Sequence, residues 1–199
     1  MLLQCWIDAA VRVHRPLSLF LEHDRGTDAV RWATRPLARL TAMGLSAAYG
    51  SNMDPAQMLQ RCASSPFAGT GWVRGWRLTS GADEFGWEGA LATLVPTDDD
   101  GSGGEAVGVI VALYDPTPAD ERALDAWEGA DHGLYREVRL GVHTLAGDVV
   151  AHADALDAFE GGLPSARHLG AIADAAEAAG APDDHLLGLR SRDCRSTTN

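Results

Sequence analysis

Cysteine is scarce in this chain, and the three residues present (Cys5, Cys62 and Cys194) are widely separated. They form neither a metal-ligand pair nor a disulfide framework, and they fit a reducing compartment. No apolar run reaches the roughly 18 residues of a membrane-spanning helix. The first residues do not build a basic region, an apolar core and a small-residue cleavage site, so no signal peptide is read and the cytoplasm is the expected location. Positive charge is also in short supply. Sixteen basic residues face 28 acidic ones, giving a net charge of −12 and a pI near 4.8, which argues against nucleic acid as a partner, since phosphate binding needs clustered basic residues. The seven histidines are scattered without HExxH-like spacing, so no metal site is expected. No GxxxxGK[ST] motif follows a strand, which excludes a P-loop. Internal repeats are absent.

What is present is ordinary for a globular protein: 46% hydrophobic and 22% charged residues in 199 positions, enough for one domain with a sizeable core and an appendage, or for two small domains. Residues 1–42 hold six of the sixteen basic residues but only four of the 28 acidic ones, and carry no chemical motif. They are expected to be an N-terminal appendage, either an added helix pair or an over-long gene start. The functional domain is expected over residues 43–192, with 193–199 as a flexible tail.

From Leu45 the pattern alternates strands and helices. Ser46–Tyr49 reads as a buried strand, followed by a helix over Pro55–Cys62 with Asp54 as N-cap and Pro55 at its first position. Trp72–Thr79 and Gly89–Val95 read as strands with turn signals at Gly81 and Gly86, and Thr97–Gly104 as a loop. Val107–Tyr114 is a β-branched run of the buried kind. Thr117 caps a helix that starts at Pro118 and ends at Gly129. Tyr135–His143 and Asp148–His152 read as a hairpin turned at Ala146-Gly147. Ser165–Ala179 and Asp183–Arg190 are helices separated by Gly180-Ala181-Pro182. Trp72, Trp76 and Trp87 are expected to fill the core or line a pocket.

The most informative stretch is Leu45–Met53, where a short apolar run breaks at Gly50-Ser51-Asn52 and leads into a helix. A strand, a glycine turn and a helix start expose several backbone N–H groups at one point, which suits an anionic small molecule. The plain alternative is a tight turn joining a core strand to a helix. Ser51 lacks the second glycine of a nucleophile elbow, so a serine hydrolase is not indicated. A second candidate is Glu128, within Asp125-Ala126-Trp127-Glu128-Gly129. It shares the inward edge of its helix with Leu124 and sits at the helix C-terminus. Burial and the helix dipole would both lift its pKa above the ordinary carboxylate range, as proton transfer near neutral pH requires. The alternative is a solvated glutamate before a capping glycine.

Taken in order, these motifs resemble the γ-glutamylcyclotransferase family, within the AIG2-like superfamily. Tyr49-Gly50-Ser51-Asn52 matches its YGSN loop. Glu128-Gly129 with Gly133 and Tyr135 is similar to its catalytic element. Trp87-x-Gly89-x-x-Ala92-Thr93 and Pro164-Ser165 match two further elements, and together the motifs span residues 45–190. The resemblance implies an α+β fold built on a small mixed β-barrel flanked by helices. It also implies a cofactor-free reaction that closes a γ-glutamyl amine or amino acid into 5-oxoproline and frees the amine. Glu128 would be the general acid and base, and Ala48, Tyr49, Gly50, Ser51, Asn52, Tyr135 and His168 would contact the small-molecule substrate. Two positions depart from the family. His168 stands where many relatives carry a substrate-contacting tyrosine, and the strand Val149–Leu156 carries His152 and Asp154 where aromatic residues are expected. Other readings of the same motifs are an enzyme acting on a γ-glutamylated natural product or carrier, and a non-catalytic binding module of the same fold. Neither a metal nor a membrane is implied, and the oligomeric state is left open.

Overall fold

A computed structural model describes residues 44–82, 89–97, 108–128, 135–156 and 160–195, without the side chains of 125–128. Among these residues the order is β1 (Leu45–Ala48), a 3-10 turn (Ser51–Met53), α1 (Pro55–Arg61), β2 (Phe67–Val73), β3 (Trp76–Gly81), β4 (Leu91–Pro96), β5 (Val109–Tyr114), α2 (Pro118–Glu128), β6 (Tyr135–Thr144), β7 (Gly147–Leu156), α3 (Ala166–Ala178) and α4 (Asp183–Arg190).

Five strands close into a barrel in the order β1-β5-β2-β6-β7, and β3 and β4 form a separate ribbon. The barrel is mixed. The β1–β7 pair is parallel, with Leu45 opposite Ala151, and the remaining pairs are antiparallel. This is the α+β, helix-flanked small barrel expected from the resemblance. Strand β5 is buried along all six residues. It lies between β1 and β2 and has no solvent face, which explains its continuous apolar sequence. Strands β6 and β7 alternate instead. Val138, Leu140, Val142, Ala151, Ala153 and Ala155 enter the core while their neighbours face outward. Gly71 is required where β2 crosses β6, because a Cβ there would lie 2.5 Å from Val142 Cγ1 and 2.9 Å from the His143 carbonyl oxygen.

The helix starts follow local chemistry. Asp54 accepts from Ala56 N–H at 2.8 Å, the Thr117 hydroxyl from Asp120 N–H at 3.2 Å, and the Ser165 hydroxyl from His168 N–H at 3.1 Å. The Asp54 and Thr117 caps stand where the sequence places them, and Ser165, expected as the first residue of its helix, caps it instead.

The expected strand Trp72–Thr79 is corrected. The chain turns at Arg74-Gly75, with Gly75 at φ +72°, so Trp72 lies near the end of one strand, which Val73 closes, and Trp76 begins another. Both tryptophans pack against the core, and Trp72 meets the His185 ring edge-on at 5.5 Å. Gly81 is the last residue of β3 rather than a turn, and the hairpin turns at Leu145-Ala146, one residue earlier than expected. Arg195, in the stretch expected as a tail, pairs by backbone hydrogen bonds with Pro164 and Ala166. Residues 1–43, Gly86, Trp87, residues 98–104 of the expected loop, Gly129 and Gly133 lie outside the described residues. So does the expected placement of the Glu128 carboxyl group.

Candidate active site

Strand β1 delivers the chain to a turn whose every residue is tied down from beneath. The Tyr49 hydroxyl donates to the backbone carbonyl of Asp154 on the neighbouring β7. Met53 is buried, its N–H donates to the Gly50 carbonyl at 3.0 Å, and its own carbonyl accepts from the Tyr114 hydroxyl at 3.1 Å. The Ser51 carbonyl accepts from Gln57 Nε2 at 2.6 Å, and Asn52 Oδ1 accepts from the Arg61 guanidinium. Burial pushes the Tyr114 hydroxyl pKa up, with the Asp54 charge adding to it, so the group stays a donor. A loop fixed by β5, β7 and α1 loses little further freedom when a ligand arrives.

Gly50 has a different environment. Its φ is −109°, outside the left-handed region, and a Cβ there would meet nothing within 4 Å among the described residues. Among the described residues no neighbour occupies the place of a side chain, so what glycine leaves here is open backbone. The 3-10 ladder begins with Met53 N–H, and the amides of Gly50 and Ser51 precede its first bond.

Strand register shows what shares this end of the barrel. Since β1 and β7 run parallel, their C-terminal ends coincide with the N-terminal end of β6. Tyr135 opens β6 opposite Leu156, two residues beyond the Glu137–Asp154 pair. It therefore stands at about the height of Gly50, two strand spacings away, or ~10 Å. By strand alternation Tyr135 lies on the outer face of β6, beside Leu156 of β7, whose N–H donates to the buried Thr93 hydroxyl of β4 at 2.8 Å.

His168 is the third residue of α3, the helix that packs on the Ser51–Met53 turn. Its ring is largely buried, and burial lowers its pKa, so it is neutral at neutral pH. Nε2 has no hydrogen-bond partner among the described residues. A buried ring nitrogen in that state is suited to a polar group supplied by a ligand. At the other departure from the family, His152 Nδ1 lies 3.0 Å from the Glu137 carboxylate without making a hydrogen bond among the described residues, and Asp154 serves Tyr49 through its backbone.

The structure thus gathers Ala48 to Asn52 at one mouth, with Tyr135 level with them and α3 packed on the turn. It also shows that the Tyr49 hydroxyl is an anchor. Three supporting residues escape the sequence reading: Tyr114, Gln57 and Arg61. The last two were detectable, being polar residues four apart on α1 that are half-buried while Leu59 and Gln60 between them are exposed. Two of the family motifs meet each other. Gly89, at φ +137°, lies so close to the Leu163–Ser165 backbone that a Cβ would stand 2.7 Å from Ser165 N, and Ala90 N–H donates to the Leu163 carbonyl at 3.0 Å. No group of three potential metal ligands occurs among the described residues.

Comparison with known proteins agrees with this architecture. Residues 108–189 match the AIG2-like family. A solved structure of a γ-glutamyl cyclotransferase superposes with a TM-score of 0.68 at 21% identity, over 78% of this chain and 91% of the other. An uncharacterised protein of Homo sapiens, loc79017, gives 0.67 at 22% identity over the same shares. YkqA of Bacillus subtilis gives 0.59 at 16% identity, and the match spans about half of it, 52%. No curated protein matches the chain. The described domain has the γ-glutamyl cyclotransferase-like fold, and its second half carries the AIG2-like family match.

Proposed function

We propose that the domain, taken as residues 43–192, is a γ-glutamylcyclotransferase that converts a γ-glutamyl amino acid or amine to 5-oxoproline and the free amine. The observation that carries this reading is the Gly50–Met53 turn, pinned by side chains beneath it and bare of side chain at Gly50. The amides of Gly50 and Ser51 suit the anionic glutamyl end and the oxyanion that develops on the γ-carbonyl. In the reaction the substrate's α-ammonium loses a proton and its nitrogen attacks the γ-carbonyl carbon. The ring C–N bond forms, the original amide C–N bond breaks, and the departing amine takes a proton. Glu128 is assigned both transfers, which balance over one turnover.

Chain geometry supports that assignment. Helix α2 starts at the far end of the barrel, where the Asp120 carboxylate accepts from Ser64 N–H and the Ser65 hydroxyl, each at 2.9 Å. By Tyr135 the chain is at the mouth, and Glu128 closes α2 on the path between. Attack within one molecule already has the advantage of proximity, so the protein's task is to fold the substrate into the reactive shape. Tyr135 and His168 are assigned to substrate contact.

The test is to incubate purified protein with γ-glutamyl-alanine and, separately, with glutathione, and to quantify 5-oxoproline and free amine. Equimolar release from either substrate is expected. Tight binding of both without product would mark a binding module, and neither binding nor product would move the substrate to another γ-glutamyl amine.

A further inference from the structure

The segment 160–164 joins the edge of β3 that faces away from β4 to the start of α3, and together they line a cavity of about 250 Å³. One water takes a share of ~30 Å³, so the space suits a small organic molecule. Its walls are fixed before any ligand arrives. Gly161 N–H donates to the Ser80 carbonyl at 2.9 Å, Ala90 N–H to the Leu163 carbonyl at 3.0 Å, and Arg195 N–H to the Pro164 carbonyl at 2.8 Å. The lining is apolar along Leu78, Ala92, Leu169 and Ile172, a surface that draws an aliphatic chain out of water.

A cation stands at this cavity without a counterion. Arg192, two residues beyond α4, donates from Nη1 to the Leu78 carbonyl at 2.7 Å, which fixes its guanidinium at the cavity wall. Among the described residues no carboxylate forms an ion pair with it, and Nε and Nη2 have no acceptor. Of the two acids that line the cavity, Glu160 is held by Arg77 and Thr79, and Asp193 is exposed. Arg192 as a whole residue is exposed as well, yet partial burial of the guanidinium, and after it the Arg77 charge, hold its pKa below the ordinary 12.5. Both effects disfavour the charged form, and an anion bound beside it relieves both.

We propose that this cavity is a second binding site, which takes a small carboxylate with an aliphatic chain, the carboxylate on Arg192 and the chain against Leu169 and Ile172. The site stands apart from the Gly50–Met53 turn and does not depend on the cyclotransferase reading. To test it, hexanoate, hexanol and hexylamine are titrated separately into the isotope-labelled full chain, and the Kd and the shifted amides are read by NMR.

Hexanoate is expected to bind about tenfold tighter than hexanol, with the largest shifts at Leu78, Ala92 and Ile172. Arg192→Met should weaken hexanoate about tenfold and leave hexanol within about twofold, the second result showing that the cavity is intact. Ala92→Leu, which fills the cavity from the ribbon side, should remove binding of both. Equal affinity for hexanoate and hexanol, or tighter binding of hexylamine, would overturn the proposal, as would hexanoate binding that Ala92→Leu leaves unchanged. Shifts centred on Gly50–Asn52 would put the carboxylate on the turn instead and overturn it too, and so would no binding of hexanoate at all. None of these outcomes bears on whether 5-oxoproline is formed.

Discussion

A side chain is missing at Gly50 where no described residue would meet one, and a ring nitrogen is buried at His168 where nothing in the described protein meets it. These two residues mark the mouth more clearly than any charge does. His168 also makes a prediction about pH. Burial holds its folded pKa below the ordinary 6.5, so the unfolded chain takes up a proton more readily than the folded one. Stability is then present at pH values above 6.5 and declines as pH falls through and below it. Melting temperatures at pH 7.5 and 5.5 should fall further apart in wild type than in His168→Gln, and an equal drop in both would show that the ring accepts a proton without cost. At this scale the sequence was informative wherever the partner is close by. Asp54, Thr117 and Ser165 cap helices through residues two or three positions away, and those caps are readable from residue type alone. The Arg61–Asn52 contact spans nine residues and the Tyr49–Asp154 contact 105, and no local rule brings either pair together.

Among elements, the decisive contacts join segments that the sequence shows only as separate motifs. Gly89 and Ser165 are 76 positions apart, yet the backbone at Ser165 fills the space where a Gly89 side chain would go. Gly89→Ala combines a left-handed φ with an overlap against rigid backbone, and should cost about 2 kcal/mol or more. Urea unfolding monitored by fluorescence measures it, and a change under 0.5 kcal/mol would contradict the packing. A second tie fixes the segment before α3. The Glu160 carboxylate is gripped by the Arg77 guanidinium, with Nη2–Oε2 at 2.6 Å, and by the Thr79 hydroxyl at 2.7 Å, and Gly161 N–H donates to the Ser80 carbonyl at 2.9 Å. The Arg77 hydrogen bonds, then that from Thr79, hold the Glu160 pKa down from 4.5 to about 2. A depressed carboxylate pKa contributes stability above the unfolded value and loses it as pH falls from 4.5 toward 2. The pair is solvent-exposed and screened, so the effect is small. Glu160→Gln should lower the melting temperature at pH 7 and make no difference near pH 2; a constant offset at both would mean that its charge plays no part. The strand boundary between Val73 and Trp76 escaped the sequence reading because aromatic and β-branched residues flank Arg74-Gly75 on both sides and make the hairpin look continuous.

For the molecule as a whole, most helices and strands could be anticipated from local pattern, the first part of β2 being missed, whereas closure of the barrel could not. Closure depends on β1 lying parallel to β7, a pairing between segments about a hundred residues apart with no short turn to signal it. That pairing places Tyr135 at the height of Gly50 and gives the turn the Asp154 carbonyl to anchor Tyr49. Family resemblance supplied what periodicity lacks, since the YGSN turn and the Glu128 element have meaning as a pair only when the fold sets them at one mouth. In the proposed cyclisation one carboxyl group of suitable pKa carries the proton from the attacking amine to the departing one.

The most direct measurement of the central claim is single-turnover formation of 5-oxoproline from γ-glutamyl-alanine by wild type and by Glu128→Gln at matched, saturating occupancy. The amide keeps the size and shape of the carboxyl group but cannot exchange the proton, so the variant should bind substrate within about threefold of wild type while its rate falls by 10²–10⁴, the range a general acid–base group contributes. A Glu128→Gln protein that still forms 5-oxoproline at more than a tenth of the wild-type rate would contradict the account.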